Sequence, residues 1–140
     1  KPMPDERVFV DTNILVHAHD KNAGAKRVQA SQCVADLWNR PIPPSISIQV
    51  LQETYVNLIR KKIEAPEARQ IVKDYLQWNI VPNDSSLLVE AMHVSERWQV
   101  SFWDASIIAA ALRAGADVIW SEDLSEGQDY SGVRVVNPLK

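Results

Sequence analysis

A chain of 140 residues with one cysteine, Cys33, is sized for a single domain with its own core, excludes an internal disulfide framework and fits a reducing cytoplasm. Its 46% hydrophobic and 24% charged residues suit a soluble globular protein; no apolar run approaches the ~18 residues of a membrane span, and no signal peptide is expected. The formal charge of −3 disfavours an ordinary nucleic-acid binder, which carries a basic excess for phosphate, unless bound divalent ions reverse the sign of an acidic site.

The opening Lys1-Pro2-Met3-Pro4 is set aside, and neither repeat, low-complexity stretch nor linker divides the remainder of the chain. One domain is expected over 1–140, with its core about 8–138. Val8-Phe9-Val10 is a short, wholly apolar run of the kind that forms a central parallel strand, and it ends in Asp11-Thr12-Asn13. Helices are predicted over about 14–19 and 25–39. Pro41 and Pro43-Pro44 break the chain before a second strand, Ser45-Ile46-Ser47. A helix over about 48–62 shows an apolar stripe of Ile48, Leu51, Tyr55, Leu58 and Ile59, and it ends in the basic triplet Arg60-Lys61-Lys62. That triplet reads first as a solvated helix end and second as a nucleic-acid contact.

Pro66 suits the first turn of a helix that continues to about 78, and Ile80-Val81 is a short strand. Asp84 or Ser85 can cap a helix reaching Trp98. The stretch 102–114 is strongly helical, with Gly115 as its C′ residue. Val118-Ile119-Trp120 and Val133-Arg134-Val135-Val136 complete the strands. Short apolar strands alternating with helices predict an α/β sandwich on a parallel sheet, five strands in a flavodoxin-like arrangement.

In such sheets function gathers beyond the C-terminal ends of the strands. Asp11 follows the first strand directly, and Asp123 follows Val118-Ile119-Trp120 through Ser121-Glu122, which places both on one rim. Turn or capping roles compete for each; for Asp11, Thr12 and Asn13 could cap instead, whereas for Asp123 neighbouring Glu122 is a rival. Asp104 shares a helix face with Ile107, Ile108 and Ala111, so its carboxylate lies on the apolar side. Ser101-x-x-Asp104 is also close to a capping box, and one side chain could serve both ends. Glu53 sits off the apolar stripe of its helix, where a solvent-exposed role is the simpler reading. Its place in the second turn after Ser45-Ile46-Ser47 nevertheless puts it on the same rim.

Converging carboxylates repel one another unless a counter-charge is present. Hard oxygen donors favour Mg²⁺ or Mn²⁺ over zinc, and such ions suit phosphodiester cleavage. Competing chemistries find little support: His17 and His19 are two apart on a helix, His93 is remote, Cys33 has no motif, and four glycines supply no phosphate-binding loop. No Gly-x-Ser-x-Gly elbow occurs.

Taken together, these segments resemble a PIN-domain ribonuclease, and among these a VapC-type toxin of a bacterial or archaeal toxin–antitoxin pair. The resemblance runs from 8 to 138. It rests on Val8-Phe9-Val10-Asp11-Thr12-Asn13, on Ser47 to Glu53 with Val50-Leu51, and on Ser101-Phe102-Trp103-Asp104-Ala105. Trp120-Ser121-Glu122-Asp123-Leu124 and the closing Gly132-Val133-Arg134-Val135-Val136-Asn137-Pro138 complete it. It implies a PIN-like three-layer sandwich with a central five-stranded parallel sheet flanked by helices. The family's acidic quartet then falls on Asp11, Glu53, Asp104 and Asp123, as catalytic residues and metal ligands. Its hydroxyl-x-Asp pattern selects Asp123 over Glu122, and Asn13 and Ser121 become hydrogen-bonding partners of the ligands. Also implied are single-stranded or looped RNA as substrate, Mg²⁺ or Mn²⁺ as cofactor, a homodimer in the cytoplasm, and an antitoxin that blocks the cleft. The stretch ahead of Val8 is longer than the family commonly has. Alternatives are an RNA-processing PIN enzyme outside a toxin system, a non-catalytic PIN module, a DNA-directed nuclease, and a receiver-like signalling module. The last would want a second acid beside Asp11 and a lysine after the final strand, where Thr12-Asn13 and Asn137-Pro138 stand.

Overall fold

The computed structural model describes residues 5–140, so Lys1-Pro2-Met3-Pro4 lies outside the described residues. Three short strands are buried along their whole length: β1 (Val8–Val10), β2 (Ser45–Ser47) and β4 (Val118–Trp120). Strands covered on both faces need no polar alternation, which explains why β1 and β4 read as apolar runs; in β2 the small Ser45 and Ser47 are buried on either side of Ile46. They join β3 (Asn79–Val81), β5 (Asp129–Tyr130) and β6 (Val133–Val136) in one sheet of order β3-β2-β1-β4-β6-β5. Every pairing is parallel except β5 with β6.

Two expectations are corrected. Among the described residues the sheet has six strands, because Ser131 (φ +56°) and Gly132 (φ +102°) turn the chain into a hairpin that adds β5. Asp129 fixes that turn by accepting a hydrogen bond from the Gly132 amide at 2.7 Å. The five parallel strands, numbered along the chain, lie in the order 3-2-1-4-5, which is not the flavodoxin-like 2-1-3-4-5. The chain builds outward from β1 to β3 and then crosses back to lay β4 on the other side of β1. A crevice therefore opens beyond the C-terminal ends of β1 and β4.

Among the described residues six helices connect the strands: α1 (Thr12–His19), α2 (Ala25–Trp38), α3 (Ile48–Arg60), α4 (Ala65–Tyr75), α5 (Ser85–Trp98) and α6 (Phe102–Arg113). Their starts follow local chemistry. Ser47, Asp84 and Ser101 cap α3, α5 and α6 by accepting backbone N–H bonds, Pro66 lies in the first turn of α4, and Gly115 takes a left-handed φ of +71° just past α6. The register of α3 differs from the predicted stripe. Val50, Leu51, Thr54 and Leu58 are its buried residues, whereas Tyr55 and Ile59 are 37% and 38% exposed. Thr54 is fully buried because its hydroxyl donates to the Val50 carbonyl at 2.7 Å, which removes the cost of a polar atom in the core. Among the described residues no helix is long and apolar enough to cross a membrane.

Candidate active site

Asp11 stands one residue beyond β1, where its backbone N–H donates to the Trp120 carbonyl at 2.9 Å and locks the ends of β1 and β4 together. It is itself the N-cap of α1, a role the sequence had offered to Thr12 or Asn13; Oδ1 accepts the Thr12 N–H at 2.7 Å. Oδ2 accepts the Ser121 hydroxyl at 2.8 Å and the Asn13 amide at 3.3 Å. The residue is 7% exposed. Burial pushes its carboxyl up to about 6; the hydrogen bonds from Ser121 and Thr12 oppose that rise, and the charges of Asp123 and Glu53 add to it.

The other acids arrive from separate elements. Asp123 follows β4 and accepts the Asn13 amide at 3.2 Å, so one Asn13 side chain bridges Asp11 and Asp123. The Asn13 carbonyl oxygen in turn accepts the Glu122 N–H at 2.9 Å, and the Ser121 hydroxyl oxygen accepts the amides of Asp123 and Leu124 at 3.1 Å each. These bonds fix the loop after β4 against the start of α1. Glu53, from α3, accepts the Thr12 hydroxyl at 2.9 Å on Oε1 and the Gln49 amide at 3.5 Å on Oε2. Asp104 lies in the first turn of α6, half-buried, with its backbone N–H capped by Ser101 at 3.1 Å. Its carboxylate accepts no hydrogen bond from any described residue.

All four acids line a single open cleft of about 610 Å³, together with Thr12, Asn13, Gln49, Arg60, Lys61 and Trp103. Glu122 does not line it. The His17 ring at 2.8 Å and the Lys26 ammonium hold its two carboxylate oxygens, and these partners keep its carboxyl below the usual range. The rival to Asp123 is thus a neutralised structural acid.

Sequence reasoning missed Thr12 as the holder of Glu53; its only signal was a hydroxyl next to Asp11 at a helix start. It also treated Arg60-Lys61-Lys62 chiefly as a solvated end, yet Arg60 and Lys61 both face the cleft. Lys61 pairs there with Asp20 at 3.2 Å. Among the described residues no three His, Cys, Asp or Glu side chains surround one common point closely enough to enclose an ion. What the acids offer is a lined, solvent-open cleft with hard oxygen donors on several sides.

Residues 8–125 match the family model described as the PIN domain. Among solved structures, the chain is similar to Mycobacterium tuberculosis VapC20, a sarcin-ricin loop cleaving toxin, at 24% identity and a TM-score of 0.66 over 83% of this chain and 89% of that one. It is similar to a toxin–antitoxin complex from Klebsiella pneumoniae at 21% identity and a TM-score of 0.69, covering 94% and 97%. FitAB bound to an IR36 DNA fragment gives 14% identity and a TM-score of 0.67, covering 95% and 96%. At these identities the likeness is one of fold. No curated protein matches the chain.

Proposed function

The chain belongs to the PIN-domain family, and on that footing we propose that it is an endoribonuclease dependent on Mg²⁺ or Mn²⁺, serving as the toxin of a VapBC-type pair. One observation carries the reading: four carboxylates from four separate segments turn onto one cleft at the C-terminal rim of the sheet. Asp11, Asp104 and Asp123, with Glu53 beside them, would hold the ion. The donors fit this role. Asp104 has no protein partner for its carboxylate, and burial, with the charges of Asp123 and Glu53 added to it, raises the Asp11 carboxyl to about 6, a cost that a bound cation would offset. The open cleft and its hard oxygen donors suit an ion that keeps several of its waters, as Mg²⁺ does. When bound, the ion supplies activation of a water and stabilisation of the leaving oxygen.

The chain's own residues do the rest. Asn13 and Ser121 orient Asp11 and Asp123 so that neither carboxylate has to be reorganised during reaction. Thr12 ties Oε1 of Glu53, which leaves the loosely held Oε2 as the oxygen free to take a proton from the attacking water. A cleft of this sign without an ion attracts a guanidinium, whose fork matches a carboxylate. The expected antitoxin therefore presents an arginine to the acids and excludes RNA at the same time. Two similar structures, one a toxin and the other a toxin–antitoxin complex, support the toxin reading. Homodimerisation and a cytoplasmic setting belong to the same proposal.

The test is incubation of the purified protein with a labelled single-stranded RNA and a DNA of the same sequence, in Mg²⁺, Mn²⁺ or EDTA. RNA cleavage confined to the metal-containing samples is expected. Cleavage of the DNA alone would move the reading to a DNA-directed nuclease. Co-expression with an adjacent small reading frame should relieve growth arrest; a chain harmless on its own yet able to cut RNA would be an RNA-processing enzyme.

A further inference from the structure

Trp103 is 65% exposed, more than any other large hydrophobic side chain among the described residues. Leaving an indole in water forgoes ~1.5–3 kcal/mol of burial, and core packing does not account for its place on α6. It lies in the cleft lining directly before Asp104, so its ring flanks the acids. The ring is not loose. Phe102 and Trp103 form a T-shaped pair with centroids 5.1 Å apart at 80°, which orients the indole, and at 65% exposure the ring stays open to a ligand. Val56 and Ile107 continue an apolar surface beside the carboxylates in the same lining.

Arg60 supplies a second, independent observation. On α3 it falls seven residues after Glu53, two turns on the same face, or ~10 Å along the helix. It lines the cleft, it is exposed, and its guanidinium makes no ion pair or hydrogen bond with a described residue. Its neighbour Lys61, by contrast, is engaged by Asp20.

We propose that Trp103 is a stacking platform for one unpaired base of the substrate and that Arg60 holds a backbone phosphate away from the bond being cut; this rests on the ribonuclease reading. An indole face accepts any base, because every base presents a π-face, but only after that base has left a duplex. A cation two turns beyond Glu53 sits about 10 Å further along the helix, and we assign it to a phosphate further along the strand. Together the two residues select an unstacked strand that crosses the cleft, and they fix its register without reading sequence by hydrogen bonds.

Two measurements test this on the full chain. Mixed rapidly in Mg²⁺ and read before cutting proceeds, an unstructured RNA oligonucleotide should quench the tryptophan fluorescence of the wild type and leave Trp103→Phe largely unquenched. In Mg²⁺, Trp103→Ala should raise KM for the same RNA about ten- to hundredfold with kcat nearly unchanged, and Trp103→Phe should recover most of the loss. Arg60→Ala should lower the slope of log affinity against log salt by about 0.7, the share of one single-strand phosphate, whereas Arg60→Lys keeps it. A wild-type KM in Trp103→Ala overturns the proposal. So does a loss of binding that tracks a change in oligomeric mass, since Trp103 would then cover a second copy. A wild type that cuts no RNA refutes the ribonuclease reading instead, and the quenching still reports separately on stacking.

Discussion

Asp104 separates two roles that sequence alone left combined on one side chain. The cap of α6 is made by the Ser101 hydroxyl to the Asp104 backbone N–H, and the carboxylate takes no part in it. Asp104→Asn should therefore fold normally and lose cleavage by about 10²–10³, the usual cost of removing a strong electrostatic contact. Ser101→Ala should keep cleaving but lose about 1 kcal/mol of stability, a fall of some 2–4 °C in Tm. Melting curves beside cleavage rates decide the matter, and a fully active Asp104→Asn would leave that residue no chemical role. Asp11 makes a pH-dependent prediction for the metal-free protein. Its carboxyl is raised from 3.8 to about 6 by burial and by the two acids beside it. Between those values the folded state holds a proton that the unfolded chain releases. The stabilising contribution is thus complete below pH 3.8 and disappears as pH rises through 6. In EDTA, Asp11→Asn should gain on the wild type steadily from pH 4 to pH 7, by at most about 3 kcal/mol. A gap in Tm that stays constant over that range would contradict the origin assigned to the shift.

At the scale of elements, α3 shows both what periodicity reveals and where it stops. The helix was legible, and so was its place after β2. Its rotation was not, because apolar residues occupy two overlapping faces and Thr54 counts as polar in any wheel. Once Thr54 hides its hydroxyl on the Val50 carbonyl, the core face becomes Val50, Leu51, Thr54 and Leu58. That rotation carries Glu53 to the cleft, where the wheel had left it facing solvent. Leu58→Ala, at a fully buried position, should cost about 2–5 kcal/mol. Ile59→Ala, at 38% exposure, should cost less than about 1 kcal/mol. Urea denaturation of the two variants measures the rotation directly, and equal costs would restore the stripe read from spacing. The β5–β6 hairpin escaped notice for a different reason: two residues, Asp129 and Tyr130, are too short a run to show alternation.

For the whole molecule, the sequence placed Asp11 and Asp123 on one rim because each follows an apolar strand, and the sheet brings those strands side by side, Val10 against Trp120. Strand order was out of reach, since it depends on which way each crossover turns and not on local pattern. For the same reason Thr12 could not be joined to Glu53, nor Arg60 and Trp103 to one cleft: they meet only after α1, α3 and α6 have packed. The proposed function depends above all on this convergence, with carboxylates from four elements acting as one metal centre. Mn²⁺ soaked into crystals of the protein, located by its anomalous scattering, tests it most directly. A peak in the cleft between Asp11 and Asp104, lost in Asp104→Asn, is the expected result. A wild-type peak found only at surface acids remote from both would contradict it.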